Sequence, residues 1–210
     1  MSLNAQRLMF VHVPKTGGWA VKKALRDSGA YYYSLRHRGK AKKPLSRRMV
    51  LGSSGYRALK VFTVFRNPFT RAVSAFNYLK HGGERHRAND VRDFNNHLAH
   101  FSSFESFVLE GGLAEASKHL VHFRTQCFWL RATNAQTTPS LWDIVPNVDI
   151  LKYEKMKKVV PTYIKKYTGA SVGLKKINGT HHKDELTNIQ QVRSEVYKVY
   201  QQDYSLWKSL

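Results

Sequence analysis

Two short stretches combine cations, glycines and hydroxyls in an order that can grip an oxyanion. The first is Pro14-Lys15-Thr16-Gly17-Gly18. It separates an apolar run, Leu8 to Val13, from a segment in which Ala20, Val21, Ala24 and Leu25 share one helical face. A strand feeding a glycine turn and then a helix aims backbone N–H groups and the positive helix end at one point. Lys15 adds a mobile positive charge there. The Walker A order, G-x-x-x-x-G-K-[ST], is absent, which disfavours an ordinary nucleoside triphosphatase. The second stretch runs Phe65-Arg66-Asn67-Pro68-Phe69-Thr70-Arg71-Ala72-Val73-Ser74. Arg66 closes an apolar strand, and Pro68 suits the first turn of a helix that carries Ser74 two turns in. Arg66 can fork onto a phosphate and Ser74 can donate to it. Taken singly, a glycine turn between strand and helix is more often structural than functional, and for Arg66, which can cap carbonyls, and Ser74, which can pack, the structural reading is as good as the functional one.

The elements around these stretches must position them. Leu8–Val13, Tyr31–Leu35, Leu59–Phe65 and Val148–Tyr153 read as strands. Helices are expected over Trp19–Ser28, from Pro68 to Leu79, from Ser103 (with Ser106 in place of the capping-box acid) and over Val121–Leu130. Lys155–Tyr167 has a helical pattern that Pro161 should kink or split. Thr187 reads as the cap of a final helix reaching about Trp207. His81–Asn96 is polar and reads as a mobile loop. Strands separated by helices predict an α/β fold with a central, mainly parallel sheet flanked by helices in a P-loop-like three-layer sandwich.

The 210 residues suit one domain, 1–210. The single cysteine, Cys127, rules out an intramolecular disulfide framework and a zinc-cysteine cluster. No apolar run approaches a membrane span, and Met1–Phe10 lacks a signal-peptide pattern, so a soluble cytoplasmic protein is expected. The net charge is +21, with 35 basic residues against 14 acidic ones. A polyanionic or nucleotide partner follows. The densest stretch, Arg36 to Arg48, has seven cations and no acid.

Together, FVHVPKTGG and, about fifty residues later, VFTVFRNPFTRAVSAF resemble the sulfotransferases that use 3′-phosphoadenosine 5′-phosphosulfate (PAPS). The group that includes the heparan and chondroitin sulfotransferases and their bacterial relatives is the closer match. The resemblance implies that Lys15, Thr16, Gly17 and Gly18 bind the 5′-phosphosulfate, and that Arg66 and Ser74 bind the 3′-phosphate. VDILKYE (148–154), His122 with Gln126, and the region from Asn178 to Asp203 agree with later segments of that family. The family usually carries Ser or Thr at one or both positions where Trp19 and Ala20 stand. Trp19 could stack on the adenine or an acceptor ring, or pack on the sheet.

Sulfuryl transfer needs a cation at the leaving oxygen, which Lys15 can supply, and a base for the acceptor hydroxyl. His37 lies in the basic loop between the two motifs, where the resembled family often has its base. Neighbouring cations disfavour its protonated form. A solvated loop histidine is the equal alternative, and His81 and His86 are the next candidates. His12 lies in a strand and reads as structural. His181, His182 and Lys183 are placed near the 3′-phosphate or adenine. No histidine pair has a carboxylate at ligand spacing, so no metal is expected. The acceptor is expected to be a hydroxyl, on an acidic glycan if the basic loops flank it. Two rivals stand beside this reading: a P-loop-like kinase using ATP and magnesium, and a non-specific nucleic-acid-binding protein. No specific nucleic-acid motif is present.

Overall fold

The computed structural model describes residues 7–30, 32–35, 59–82, 87–130, 148–175 and 186–210. His37, His86, His181, His182, Lys183 and the basic stretch Arg36–Arg48 lie outside these residues. The chain divides into two compact units. One comprises Met1–Arg66, Gln126–Ile177 and Leu210; the other comprises Asn67–Thr125 and Asn178–Ser209.

The first unit is an α/β assembly around a parallel sheet. Its strands are β1 (Arg7–Val11), β2 (Tyr32–Leu35), β3 (Leu59–Phe65) and β4 (Val148–Lys152), in the order β2-β1-β3-β4. Every neighbouring pair is parallel, with Met9 opposite Val61 and Thr63 opposite Ile150. Helices α1 (Gly18–Asp27) and α6 (Met156–Thr168) flank the sheet. On their side Leu8, Phe10, Phe62 and Val64 pack with Val21, Leu25, Val160 and Ile164. Met9, Val11, Val61 and Phe65, which alternate to the other side, are buried as well. That two-sided burial is why β1 and β3 read as unbroken apolar runs. Pro161 neither splits nor ends α6. It removes one hydrogen bond, to the carbonyl of exposed Lys157, and the helix continues.

The second unit is helical. It holds α2 (Pro68–His81), α3 (Ala88–His97), α4 (Phe104–Leu109), α5 (Gly112–His119), α7 (Ile189–Val199) and α8 (Gln201–Lys208). Its core joins Phe76, Phe104, Phe107 and Phe123 to Leu79, Val192, Val196 and Tyr200. The Asn67 side chain caps α2 by accepting the Thr70 N–H at 3.2 Å, and Ser103 with Ser106 forms the expected box on α4.

Four expectations are corrected here. The predicted loop His81–Asn96 contains helix α3, because Asp90 turns back to accept the Arg87 N–H at 3.2 Å and the Tyr78 hydroxyl at 2.8 Å. The final helix is two helices, broken at Tyr200, whose hydroxyl reaches the Phe123 carbonyl at 2.7 Å. Its N-cap is Asn188 rather than Thr187, and the Glu105 carboxylate accepts both residues' N–H groups. Val121–Leu130 is not an α-helix: only Cys127–Leu130 forms a 3-10 turn. The carbonyls of His122, Phe123 and Arg124 accept instead from Arg71, Tyr200 and Arg71. Carbonyls so engaged are not available to an i+4 ladder.

Candidate functional site

The first unit gathers the glycine loop and Arg66 at the carboxyl ends of β1 and β3, where ligands bind in open parallel sheets. The loop is built from its own residues. The Thr16 hydroxyl is fully buried and donates to the Val13 carbonyl at 2.9 Å. Any contribution of Thr16 to an anion therefore falls to its backbone. Lys15 adopts a left-handed conformation, φ 67°, which a side chain tolerates at a cost of about 1–2 kcal/mol. Gly17 is left-handed too, φ 74°, and caps α1.

Both glycines are required by neighbours. A Cβ at Gly17 would press on Met156 and Tyr153, which follow β4, and a Cβ at Gly18 would overlap the His12 ring. His12 is buried and stacked near Phe10, at 5.9 Å between centroids, so it supports the loop from below. The Gly17 carbonyl accepts the Ala20 N–H at 3.0 Å as the helix starts. The N–H groups of Gly17 and Gly18 have no acceptor among the described residues. Two open donors at the start of a ten-residue helix have the geometry of an anion cradle.

Arg66 is held in place from three sides. Gln126, fully buried, accepts the Arg66 N–H at 2.9 Å and donates to the Arg66 carbonyl at 2.8 Å. The guanidinium lies 4.6 Å from the centre of the Tyr153 ring. Its Nη1 donates to the Lys15 carbonyl at 3.3 Å. Arg66 thus braces the left-handed residue of the loop and brings a second fixed cation beside it. Composition and periodicity did not single out Tyr153, Met156 or the clamping role of Gln126. Only the pairing of β3 with β4 brings Tyr153 and Met156 to the loop.

Trp19 is half-buried on the first turn of α1, and the ammonium of buried Lys22 sits 4.0 Å from its ring centre. In the second unit, Ser74 is half-buried on α2 and its hydroxyl engages no described residue. His81 is exposed at the end of α2, and His122 lies 3.9 Å from Asp90. Among the described residues no cluster of His, Cys, Asp and Glu could hold a metal ion, and no helix is long and apolar enough to cross a membrane.

Compared with known proteins, residues 3–208 match the model of the sulfotransferase family. No curated protein and no solved structure matches the chain.

Proposed function

The chain belongs to the sulfotransferase family, and from that membership we propose that it moves a sulfuryl group from PAPS to an acceptor hydroxyl. The observation that carries the donor assignment is the loop itself: two open glycine N–H groups beside Lys15, braced by Arg66. The loop N–H groups would hold the oxyanions of the 5′-phosphosulfate. Lys15 would neutralise the bridging oxygen as the S–O bond to the phosphate breaks and its electron pair leaves with adenosine 3′,5′-bisphosphate. The new S–O bond forms to the acceptor oxygen, whose proton passes to a base. We assign that base to His37, in the basic stretch between the motifs, with His81 and His86 as the alternatives.

Arg66 and Ser74, with Lys183, are our assignments for the 3′-phosphate, and Trp19 for the adenine or the acceptor ring. That phosphate does not react, so these residues would contribute binding rather than rate. The displacement as written uses no metal. Seven cations without an acid in Arg36–Arg48 favour an acidic glycan as acceptor.

Thermal melts with adenosine 3′,5′-bisphosphate, AMP and ADP test the reading. At about one hundred times its Kd a ligand stabilises the native state by about 2.7 kcal/mol, an easily read rise in Tm. The bisphosphate should far exceed AMP. Equal shifts would remove the 3′-phosphate site, and a larger effect of ATP with magnesium would favour a kinase.

A further inference from the structure

A groove of about 480 Å³ lies wholly within the helical unit, apart in sequence from the glycine loop. It is lined by Phe69 at the start of α2, by Arg193 and Tyr197 on α7, and by Tyr204 and Lys208 on α8. Among the described residues no carboxylate lines it. Arg193 lies 5.4 Å from the Phe69 ring centre and Lys208 5.9 Å from that of Tyr197. Neither cation forms an ion pair with a described carboxylate. Tyr197 is 44% exposed, with its ring 5.3 Å from that of Tyr204.

Tyr204 is the informative residue. Its phenol lies on the groove wall beside the Phe69 backbone, and a phenol O–H can donate to an anion in the groove. Burial raises its pKa, so it is a neutral donor at pH 7. Gln190 and Ser194 add further polar groups along the same wall. A guanidinium, an ammonium and a phenol on two helices suit the several oxygens of a tetrahedral oxyanion better than a planar carboxylate. The exposed Tyr197 face offers a stacking platform for a ring.

We propose that this groove binds a ring bearing a sulfate or phosphate monoester, the oxyanion between Arg193, Lys208 and Tyr204 and the ring on Tyr197. Two sources share that chemistry: a sulfated saccharide and a nucleotide. The binding claim stands on the groove alone. That its occupant is an acceptor or product of sulfuryl transfer rests on the reading above.

The test is ¹H–¹⁵N NMR titration of the full chain with glucosamine 6-sulfate, AMP, N-acetylglucosamine and inorganic sulfate. Saturable shifts at residues 67–70 and 190–208 are expected with the first two probes, for AMP independently of any at the glycine loop, and the tighter one at the groove names the source. Arg193→Met should weaken binding by about tenfold or more, and Tyr204→Phe by about two- to tenfold, the range of charged and neutral hydrogen bonds. Tyr204→Phe keeps the ring, so its fold is safe if Arg193→Met proves unstable. Equal binding of inorganic sulfate or of the uncharged sugar would overturn the proposal, as would the absence of saturable shifts. Shifts of the loop amides of residues 15–18 with adenosine 3′,5′-bisphosphate, followed in the same spectra of the same variants, report separately on the donor loop. Their absence in the unmodified chain would defeat the PAPS reading and leave the groove standing.

Discussion

At the scale of single residues, the glycine loop couples its shape to its chemistry. Gly18 is glycine because the His12 ring fills the space where a Cβ would go. Gly18→Ala should therefore destabilise the protein by about 1–3 kcal/mol, as overpacking does. Urea denaturation midpoints would read it. His12→Ala in the same chain should recover part of the loss, because the two positions share one volume. Lys15 and Arg66 should separate kinetically. If Lys15 neutralises the leaving oxygen as proposed, Lys15→Ala should lower turnover with little change in donor affinity. Arg66→Ala should chiefly weaken donor binding, by about tenfold or more, the worth of a charge-assisted hydrogen bond. Single-turnover rates and donor titrations distinguish them, and a Lys15→Ala enzyme with normal turnover would sink the assignment.

At the scale of elements, the helical unit is tied together by side chains that reach distant backbone. Fully buried Arg71 on α2 donates to the carbonyls of His122 and Arg124 at 3.1 and 2.8 Å and lies 3.9 Å from buried Asp203 on α8. Arg71→Met should cost about 3–5 kcal/mol, since it takes a buried cation away from Asp203 and the donors away from two carbonyls. Adding Asp203→Leu should restore some stability, and no recovery would show that the carbonyls dominate. Glu105 does similar work at α7. The Asn188 side-chain amide, at 2.6 Å, and then the backbone N–H groups of Thr187 and Asn188 hold its carboxyl below the ordinary value of 4.5. A depressed folded pKa contributes stability that is present above about 4.5 and lost as pH falls through the folded value. Glu105→Gln should lower Tm at neutral pH and flatten that acid limb. Parallel acid limbs in both proteins would remove Glu105 from the account.

At the scale of the molecule, a net charge of +21 favours non-specific polyanion binding, which informs on function only when salt is varied. Contacts to six or more phosphates lose about 10³-fold in affinity between about 50 and 200 mM salt. Duplex DNA should follow that course. Adenosine 3′,5′-bisphosphate carries only two phosphates, so under the proposed donor reading its stabilising effect should fall far less. Fluorescence anisotropy for DNA and thermal melts for the nucleotide, over one salt series, measure both. DNA affinity that survived the higher salt would revive the nucleic-acid reading.

The sequence alone determined the parts whose cause is local. Leu8–Val13 and Leu59–Phe65 are apolar because both faces of β1 and β3 are buried, and Asn67-Pro68 and Ser103 with Ser106 start helices through groups one turn apart. The order of strand, glycine loop, helix, strand and arginine was legible for the same reason. Tertiary structure decided what depends on distant partners. Arg66 finds the Lys15 carbonyl 51 residues away and Gln126 60 residues away, and Tyr200 breaks the last helix to reach a carbonyl 77 residues away. The helix at Ala88–His97 follows from Tyr78 and Asp90 meeting, which polarity alone hides. A single buried hydrogen bond, worth about 1 kcal/mol, outweighs the few tenths by which most residues differ in helix propensity. Capping and periodicity therefore predict an element until a side chain from elsewhere claims its backbone.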